Sequence, residues 1–520
     1  MTSVVDRTHG GAAAPPGTAA SRDGWLSRWG ATLAVAVVVL LRLPYLWAPM
    51  TSDEGGFLAV AAQWRRGGGS LYGSYWVDRP PLLITVYQLA SQLGGLTALR
   101  LIGCGAAALT VWFSAAAAGH IAGPRARSWT ALVAALLMCS PLLGALEIDG
   151  ELLAAPFVAA AVLLAVRALD TGRAAAARRA AFTAGTAALA AVLIKQNMVD
   201  GAVFAVVAWG AAWWSGVVTG RRLRELLWAF SAGALSTVLA VVVWAGAHGT
   251  SPVGVFDAMY PFRVKAAQVI SASGSTTDAV RLHHLVEAWL FSGLPLVVLA
   301  LLWHALQDRP RQPWSFGLLA MLGFAAFSIG GGGNFWSHYL VETIVPTSVA
   351  AGLVVGRRVR LARTATVVVV VLAAVAWWTG LQLTVDAPGP ATGRSLAAVA
   401  APGDTVLSAF GDGDIVRASG LRSPYPYLWS LPTHTLDPSL RRLDGILRGP
   451  DAPTWLVVRG PATLDFLTRH TGSVVPRRYH RVGMVCGRSI YLLDGLHRPV
   501  PRQHTSCRAP VARVSLHSQW

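Results

Sequence analysis

Apolar runs about 20 residues long recur along most of this chain and restrict its fold more than any other feature. A helix of that length can cross a hydrocarbon core of about 30 Å. Charged residues make up only 13% of the 520 residues, roughly half the share of a soluble globular protein. The sequence therefore predicts a polytopic α-helical membrane protein.

The apolar runs, separated by charged breaks, indicate about eleven transmembrane helices between residues 29 and 385. They lie near residues 29–47, 98–121, 129–146, 150–168, 177–195, 197–216, 225–248, 284–306, 314–331, 338–356 and 364–385. The stretch "PPLLITVYQLASQL" is apolar but short, which predicts a helix at the membrane interface or dipping into it. Residues 1–28 are rich in Ala, Gly and Pro and predict a disordered cytoplasmic tail.

Arginines fall in every second connection between these spans. They are Arg7, Arg22, Arg28, Arg125, Arg127, Arg167, Arg173, Arg178, Arg179, Arg221, Arg222, Arg224, Arg309, Arg311, Arg357, Arg358, Arg360 and Arg363. The positive-inside rule places such loops in the cytoplasm. We therefore predict a multi-pass protein of the cell membrane with its N-terminus cytoplasmic and its C-terminus extracytoplasmic. The net charge of +18 follows from this topology, and no nucleic-acid partner is expected.

The hydropathy changes after about residue 386, where short apolar segments alternate with Gly/Pro turns. Residues 386–520 predict a small extracytoplasmic α/β domain followed by a tail. Cys486 and Cys507 could form a disulfide if this region lies outside the cytoplasm. Cys104 and Cys139 lie in apolar runs without the spacing of a metal site.

The extracytoplasmic loops bring carboxylates and cations to one membrane level. The first loop, residues 48–97, contains Asp53, Glu54, Asp78 and Arg79, and later loops contain Glu147, Asp149, Glu151, Lys195, His338, Tyr339 and Glu342. Any one of these taken alone is more often a solvated charge, and Lys195 could simply snorkel to the interface. Together they suit the transfer of a group from a phosphate: a carboxylate removes a proton from the acceptor, and cations stabilise the departing phosphate.

The first loop, "MTSDEGGFLAVAAQWRRGGGSLYGSYWVDRPPLL", resembles that of membrane glycosyltransferases of the GT-C fold. It is most similar to the branch of protein O-mannosyltransferases and lipid A aminoarabinose transferases. Asp53 matches the family's catalytic base after the first transmembrane helix, and the resemblance implies that Glu54 beside it is also a catalytic residue. "YWVDRPP" matches the aromatic, acidic, basic and double-proline run through Asp78 and Arg79, where aminoarabinose transferases usually have Glu-Lys.

Weaker similarities extend the resemblance to about residues 40–500. "GELLAAPF" contains Glu151, "LIKQN" contains Lys195, and "FWSHYLVETIVP" contains His338 and Tyr339. The resemblance implies a polyprenyl-phosphate sugar donor, inversion at the anomeric carbon and Asp53 as base. It further implies that Arg79, Lys195 and His338 hold the phosphate while Asp78 and Glu151 orient the site.

The resemblance also bears on cofactors and substrates. It implies no nucleotide sugar; a divalent cation is left open, although the sequence offers no clean set of metal ligands. The Ala/Arg/Gly-rich composition suggests a GC-rich genome, for which mannose or arabinose is the expected sugar; the extracytoplasmic acceptor stays unknown. A transporter or flippase of a charged glycan is the alternative, but such proteins usually contain inverted repeats and mid-membrane sites.

Overall fold

The computed structural model describes residues 24–65, 67–273, 276–307, 312–356 and 360–511. It contains a large helical bundle followed by a small α/β domain. Most of the predicted disordered tail, residues 1–28, lies outside the described residues, and the first helix begins at Gly24, before the predicted boundary.

Within the described residues, the bundle consists of fifteen helices. They are α1 (Gly24–Arg42), α2 (Ser52–Ala62), α3 (Pro81–Leu93), α4 (Leu96–Leu137), α5 (Gly150–Asp170), α6 (Ala174–Val192), α7 (Asp200–Trp214), α8 (Gly220–Ala247), α9 (Pro252–Met259), α10 (Pro261–Ser273), α11 (Thr276–Phe291), α12 (Leu294–Gln307), α13 (Pro313–Gly332), α14 (Ile344–Gly356) and α15 (Arg360–Gly380). Short 3-10 helices cover Leu43–Trp47, Pro141–Leu143 and Ser337–Thr343. The centre of the bundle is α4, which packs against α1, α5 and α14.

Seven helices within the described ranges are long and apolar enough to cross a membrane, or eight if α11 and α12, bent by 63°, form one span. Helix α4 has 42 residues and leaves helical geometry at Ala122 and Gly123. Its length of about 60 Å is twice a hydrocarbon core, and its break lies between two of the predicted spans. Helices α6 and α7 also match predicted spans but are not among the seven. The chain is thus a multi-pass membrane protein, and the count of eleven spans stays a prediction.

Two connecting segments contain more helix than the sequence indicated. The first loop contains α2 as well as α3. Residues 249–283, predicted as a loop, form α9, α10 and the start of α11; Ser251 caps α9 and Pro252 occupies its first position. These helices are too short to produce apolar runs of bilayer length, so a search for such runs passes over them.

The C-terminal domain contains six strands and six helices in the part of the chain that is described. They are β1 (Thr384–Asp386), α16 (Pro388–Ala397), β2 (Val406–Ser408), α17 (Gly413–Ser419), α18 (Ser430–Leu436), α19 (Arg441–Arg448), β3 (Trp455–Val458), α20 (Pro461–Thr471), α21 (Val474–Arg478), β4 (Tyr479–Val485), β5 (Arg488–Leu493) and β6 (Arg508–Pro510). Strands β2, β3, β5 and β4 form one sheet in that order, and β1 pairs with β6. Among the named strand pairs of the described residues, β2–β3 is parallel and the others are antiparallel. The predicted small α/β domain is confirmed.

Cys486 and Cys507 form a disulfide, while Cys104 and Cys139 are free and buried. The bridge closes a loop of 21 residues, which corresponds to a stabilisation of about 3 kcal/mol in the chain-entropy account.

We expect Cys486→Ser to lower the thermal midpoint of the purified protein. Thiol labelling after denaturation without reductant should modify Cys104 and Cys139 alone; labelling of all four cysteines would place this domain in a reducing compartment.

Candidate active site

Helix α2 places Asp53 at its N-terminal end. The preceding Thr51 caps the helix: its hydroxyl accepts from the backbone N–H of Glu54, and the Glu54 side chain accepts from the N–H of Thr51. Asp53 lies in the first turn, where a negative charge is favoured by the helix dipole. Its Oδ1 accepts a hydrogen bond of 2.8 Å from the indole Nε1 of Trp429 in the C-terminal domain.

Glu54 points away from Asp53 and is fully buried. Its Oε2 lies 2.9 Å from Nη2 of Arg100. The same guanidinium donates to the carbonyls of Leu46, Ala48 and Pro49. Burial raises the pKa of Glu54, and the charge of Arg100 opposes that rise. Glu54 therefore joins α2 to α4 and to the segment after α1.

The "DRPP" run places a carboxylate, that of Asp78, and a guanidinium group, that of Arg79, at the start of α3. Pro80 and Pro81 begin the helix, and Asp78 contacts two guanidinium groups, those of Arg79 at 2.9 Å and Arg263 at 2.8 Å. Burial would lower the pKa of Arg79, but the neighbouring carboxylates of Asp78 and Asp53 raise it overall. Arg79 is therefore a permanent cation beside Asp53.

The loop between α4 and α5 faces His338. Its Nδ1 lies 3.6 Å from Oε2 of Glu147 and 3.5 Å from Oδ2 of Asp149, and Thr51 donates to Glu147. Although burial would raise the pKa of Glu147, the neighbouring His338 imidazole and the hydrogen bond from Thr51 lower it overall. Burial, aided by the neighbouring acids and opposed by His338, raises the pKa of Asp149 to about 8. Glu147 is therefore the more readily ionised member of this pair.

Lys195 and Glu151 form a buried ion pair of 2.8 Å behind Tyr339. The ammonium also lies 5.5 Å from the centre of the Tyr339 ring. Because a buried ammonium is costly without a partner, the Glu151 carboxylate explains why a lysine is tolerated here.

Two adjacent cavities contain most of the predicted site residues. The first, about 210 Å³, is lined by Asp53, Asp78, Arg79, His338 and Tyr339, together with Arg263, Arg281, Trp336 and residues 429–432 of the C-terminal domain. The second, about 350 Å³, is lined by Lys195 and by apolar side chains of α10 and α13, and it shares Arg263 and Tyr339 with the first. Glu54 and Glu151 line neither cavity; they form ion pairs with Arg100 and Lys195.

Glu147, Asp149 and His338 offer ligand atoms within 4.8 Å of one another, so they could hold a metal ion. Carboxylate oxygens and an imidazole nitrogen suit Zn²⁺ or Mn²⁺. The same imidazole nitrogen contacts both carboxylates directly. The negative charge of Glu147 and Asp149 could therefore be compensated either by a protonated His338 or by a bound cation. Both a site with a divalent cation and a site without one are compatible with this arrangement.

Arg263, Trp429 and Arg100 are among the contributors to the site that were not identified from the sequence. Trp429 is 376 residues from Asp53, and Arg100 is an arginine at the start of a long apolar helix. Arg100 does give a sequence signal, because a charge inside an apolar run is costly and usually has a partner. No local pattern marks Trp429.

No family model and no curated protein sequence matches this chain. Among solved structures, ArnT from Cupriavidus metallidurans, crystallised with undecaprenyl phosphate, aligns with a TM-score of 0.60 and 15% identity, over 91% of this chain and 98% of ArnT. AglB from Archaeoglobus fulgidus, an oligosaccharyltransferase in complex with an inhibitory peptide and a dolichol-phosphate, aligns with a TM-score of 0.55 and 10% identity, over 84% of this chain and 70% of AglB. Both are glycosyltransferases of the GT-C fold. This chain has the GT-C fold.

The predicted fold is therefore confirmed, including the small domain after the last helix of the bundle. At these identities the likeness extends to the fold alone. The roles of Asp53, Arg79 and the other GT-C site residues have to be argued from their own geometry.

Proposed function

We propose that this protein is a membrane glycosyltransferase that moves a sugar from a polyprenyl phosphate to an extracytoplasmic acceptor. The observation that carries this proposal is the cavity in which the Asp53 carboxylate lies beside the Arg79 and Arg263 guanidinium groups. A carboxylate that can act as a base, placed beside two cations that can bind an anion, suits the displacement of a phosphate by a hydroxyl group. ArnT and AglB, which share the fold, were crystallised with undecaprenyl phosphate and dolichol-phosphate.

In the proposed reaction, Asp53 takes the proton of the acceptor hydroxyl as its oxygen attacks the anomeric carbon. The bond between that carbon and the phosphate oxygen breaks on the opposite face, and the electron pair leaves with the polyprenyl phosphate. Configuration at the anomeric carbon is inverted in this single displacement. Arg79 and Arg263 stabilise the charge that develops on the leaving phosphate, and Asp78 fixes both guanidinium groups.

The second cavity suits the lipid end of the donor. Ile270, Phe324, Phe327 and Ile329 give it apolar walls, while Lys195 lies at its polar end. Arg263 and Tyr339 line both cavities, so a phosphate held there would have its prenyl chain between α10 and α13. His338 and Glu151 orient Tyr339 and Lys195 in this arrangement.

Mannose and arabinose are the sugars we propose to test first. Membranes of the native host containing the full chain would be incubated with radiolabelled polyprenyl-phosphate mannose or arabinose. Label should move from the lipid into a second product with one of the two sugars. Absence of transfer from both donors would refute the proposed sugars.

Substituting Lys195 should weaken donor binding strongly. Charge-assisted hydrogen bonds contribute about 1.5–3 kcal/mol, so we expect Lys195→Gln to raise the donor KM by about 10-fold to 100-fold. Lys265→Gln is the matched control, because Lys265 is the only other lysine of the chain and lies exposed in a different cavity. Equal donor KM values for wild type and Lys195→Gln would exclude Lys195 from phosphate binding.

A further inference from the structure

The C-terminal domain contacts the proposed base directly. Trp429, immediately before α18, donates its indole N–H to Oδ1 of Asp53 at 2.8 Å. Its ring packs on Phe57 with a centroid separation of 5.1 Å. The guanidinium of Arg79 lies 5.5 Å from the centre of the same Phe57 ring. One aromatic side chain of α2 therefore contacts both the group that holds the base and the proposed phosphate ligand.

The two glycines of the "DEGG" run make this contact possible. A Cβ on Gly56 would lie 2.4 Å from Cζ2 of Trp429, and a Cβ on Gly55 would lie 2.5 Å from Cα of Asp414. Gly413, which begins α17, approaches in the same way, since its Cβ would lie 2.7 Å from Cα of Gly56. Any larger residue would separate the two surfaces. The run that contains the base is thus also the docking surface for the C-terminal domain.

The indole N–H opposes the groups that disfavour ionisation of Asp53. Burial and the charge of Glu147 raise the pKa of Asp53, whereas Arg79, the Trp429 hydrogen bond and His338 lower it. A general base must be ionised before it can accept a proton. The titratable and charged groups that face Asp53 are Glu147, Arg79, His338 and Tyr87.

We propose that Trp429 is a positioning residue for Asp53. Its N–H fixes one carboxylate oxygen and leaves the other for the acceptor hydroxyl. The C-terminal domain is then part of the catalytic site and not a detachable module, and residues 429–432 form the wall of the cavity that the acceptor meets. This proposal rests on the proposed function of Asp53 as the base.

The test is the pH dependence of sugar transfer by Trp429→Phe, which keeps an aromatic ring but removes the donor. Loss of a hydrogen bond to the carboxylate should move the acid limb of the rate profile upward by about one pH unit. Trp455→Phe is the matched control, because Trp455 also donates an indole N–H to a carboxylate of the C-terminal domain, that of Asp404, remote from Asp53. We expect its acid limb to coincide with that of wild type.

A second variant covers the case in which Trp429→Phe does not fold. Gly56→Ala retains the tryptophan at position 429, but the added methyl group forces its indole ring away from α2. The acid limb of the rate profile should therefore shift in the same direction as in Trp429→Phe. Gly105→Ala, a helical glycine with open space around it, is its control.

The outcomes distinguish the proposed role of Trp429 from the proposed role of Asp53 as the base. An inactive Asp53→Asn variant combined with unshifted profiles for Trp429→Phe and Gly56→Ala would overturn the role of Trp429 alone. If the rate fell equally at every pH, without a shift of the profile, Trp429 would only pack against α2, and its proposed role as a positioning residue would be refuted. An active Asp53→Asn variant would instead refute the proposed base.

Discussion

Asp53→Asn should lose sugar transfer by about 100-fold to 10,000-fold, the range that general base catalysis supplies. The amide keeps the size of the carboxylate and can still contact Trp429, but it cannot take the proton of the acceptor. In the wild type, burial and Glu147 raise the pKa of Asp53. The wild-type rate should therefore fall as the pH decreases through that raised value, because the protonated carboxyl is not a base.

Asp257→Asn is the control for this experiment, because Asp257 is an exposed carboxylate on α9 that lines a different cavity. Rates would be compared in membranes containing equal amounts of each folded variant. Undiminished transfer by Asp53→Asn would show that another group removes the proton. Glu147, whose pKa is lowered by His338 and Thr51 despite its burial, would then be tested in the same way.

Arg100→Met should destabilise the protein by about 3–5 kcal/mol, the effect of removing one partner from a buried ion pair. The substitution leaves the Glu54 carboxylate buried without its cation and removes donors from the carbonyls of Leu46, Ala48 and Pro49. Thermal unfolding of the purified protein in one detergent would measure the change.

The double variant Arg100→Met with Glu54→Leu should recover part of the stability lost in Arg100→Met, because no buried charge is left unpaired. Glu54→Gln separates structure from catalysis. If Glu54 only holds α2 in place, the folded Glu54→Gln protein should keep most of its transfer activity. An inactive but normally stable Glu54→Gln variant would restore the catalytic role that the sequence suggested for this residue.

Asp53 and Glu54 are adjacent in the sequence, which predicts a shared catalytic role for them. Neighbouring positions of a helix point about 100° apart, so one carboxylate of α2 enters the cavity while the other meets Arg100. The alternation of charged and apolar segments was enough to predict the bundle, the outer cluster and the strands of the small domain. It could not predict the helices of residues 249–283, whose apolar faces are too short to stand out.

Long-range contacts set a further limit on what the sequence could show. Trp429 contacts Asp53 only because Gly55 and Gly56 allow α17 and the start of α18 to approach α2 closely. A glycine pair indicates that something may approach the backbone, but not what approaches it. The grouping of Glu147, Asp149 and His338 is likewise a product of the packing of α5 against the segment before α14.

The most direct test of the account is the fate of the bond between sugar and phosphate. Purified protein in lipid vesicles would be supplied with the radiolabelled donor identified in host membranes and with an acceptor extract from those membranes. A glycosyltransferase should produce free polyprenyl phosphate and labelled acceptor in equal amounts. Intact donor that changes leaflet without cleavage would contradict this function and would identify the protein as a flippase.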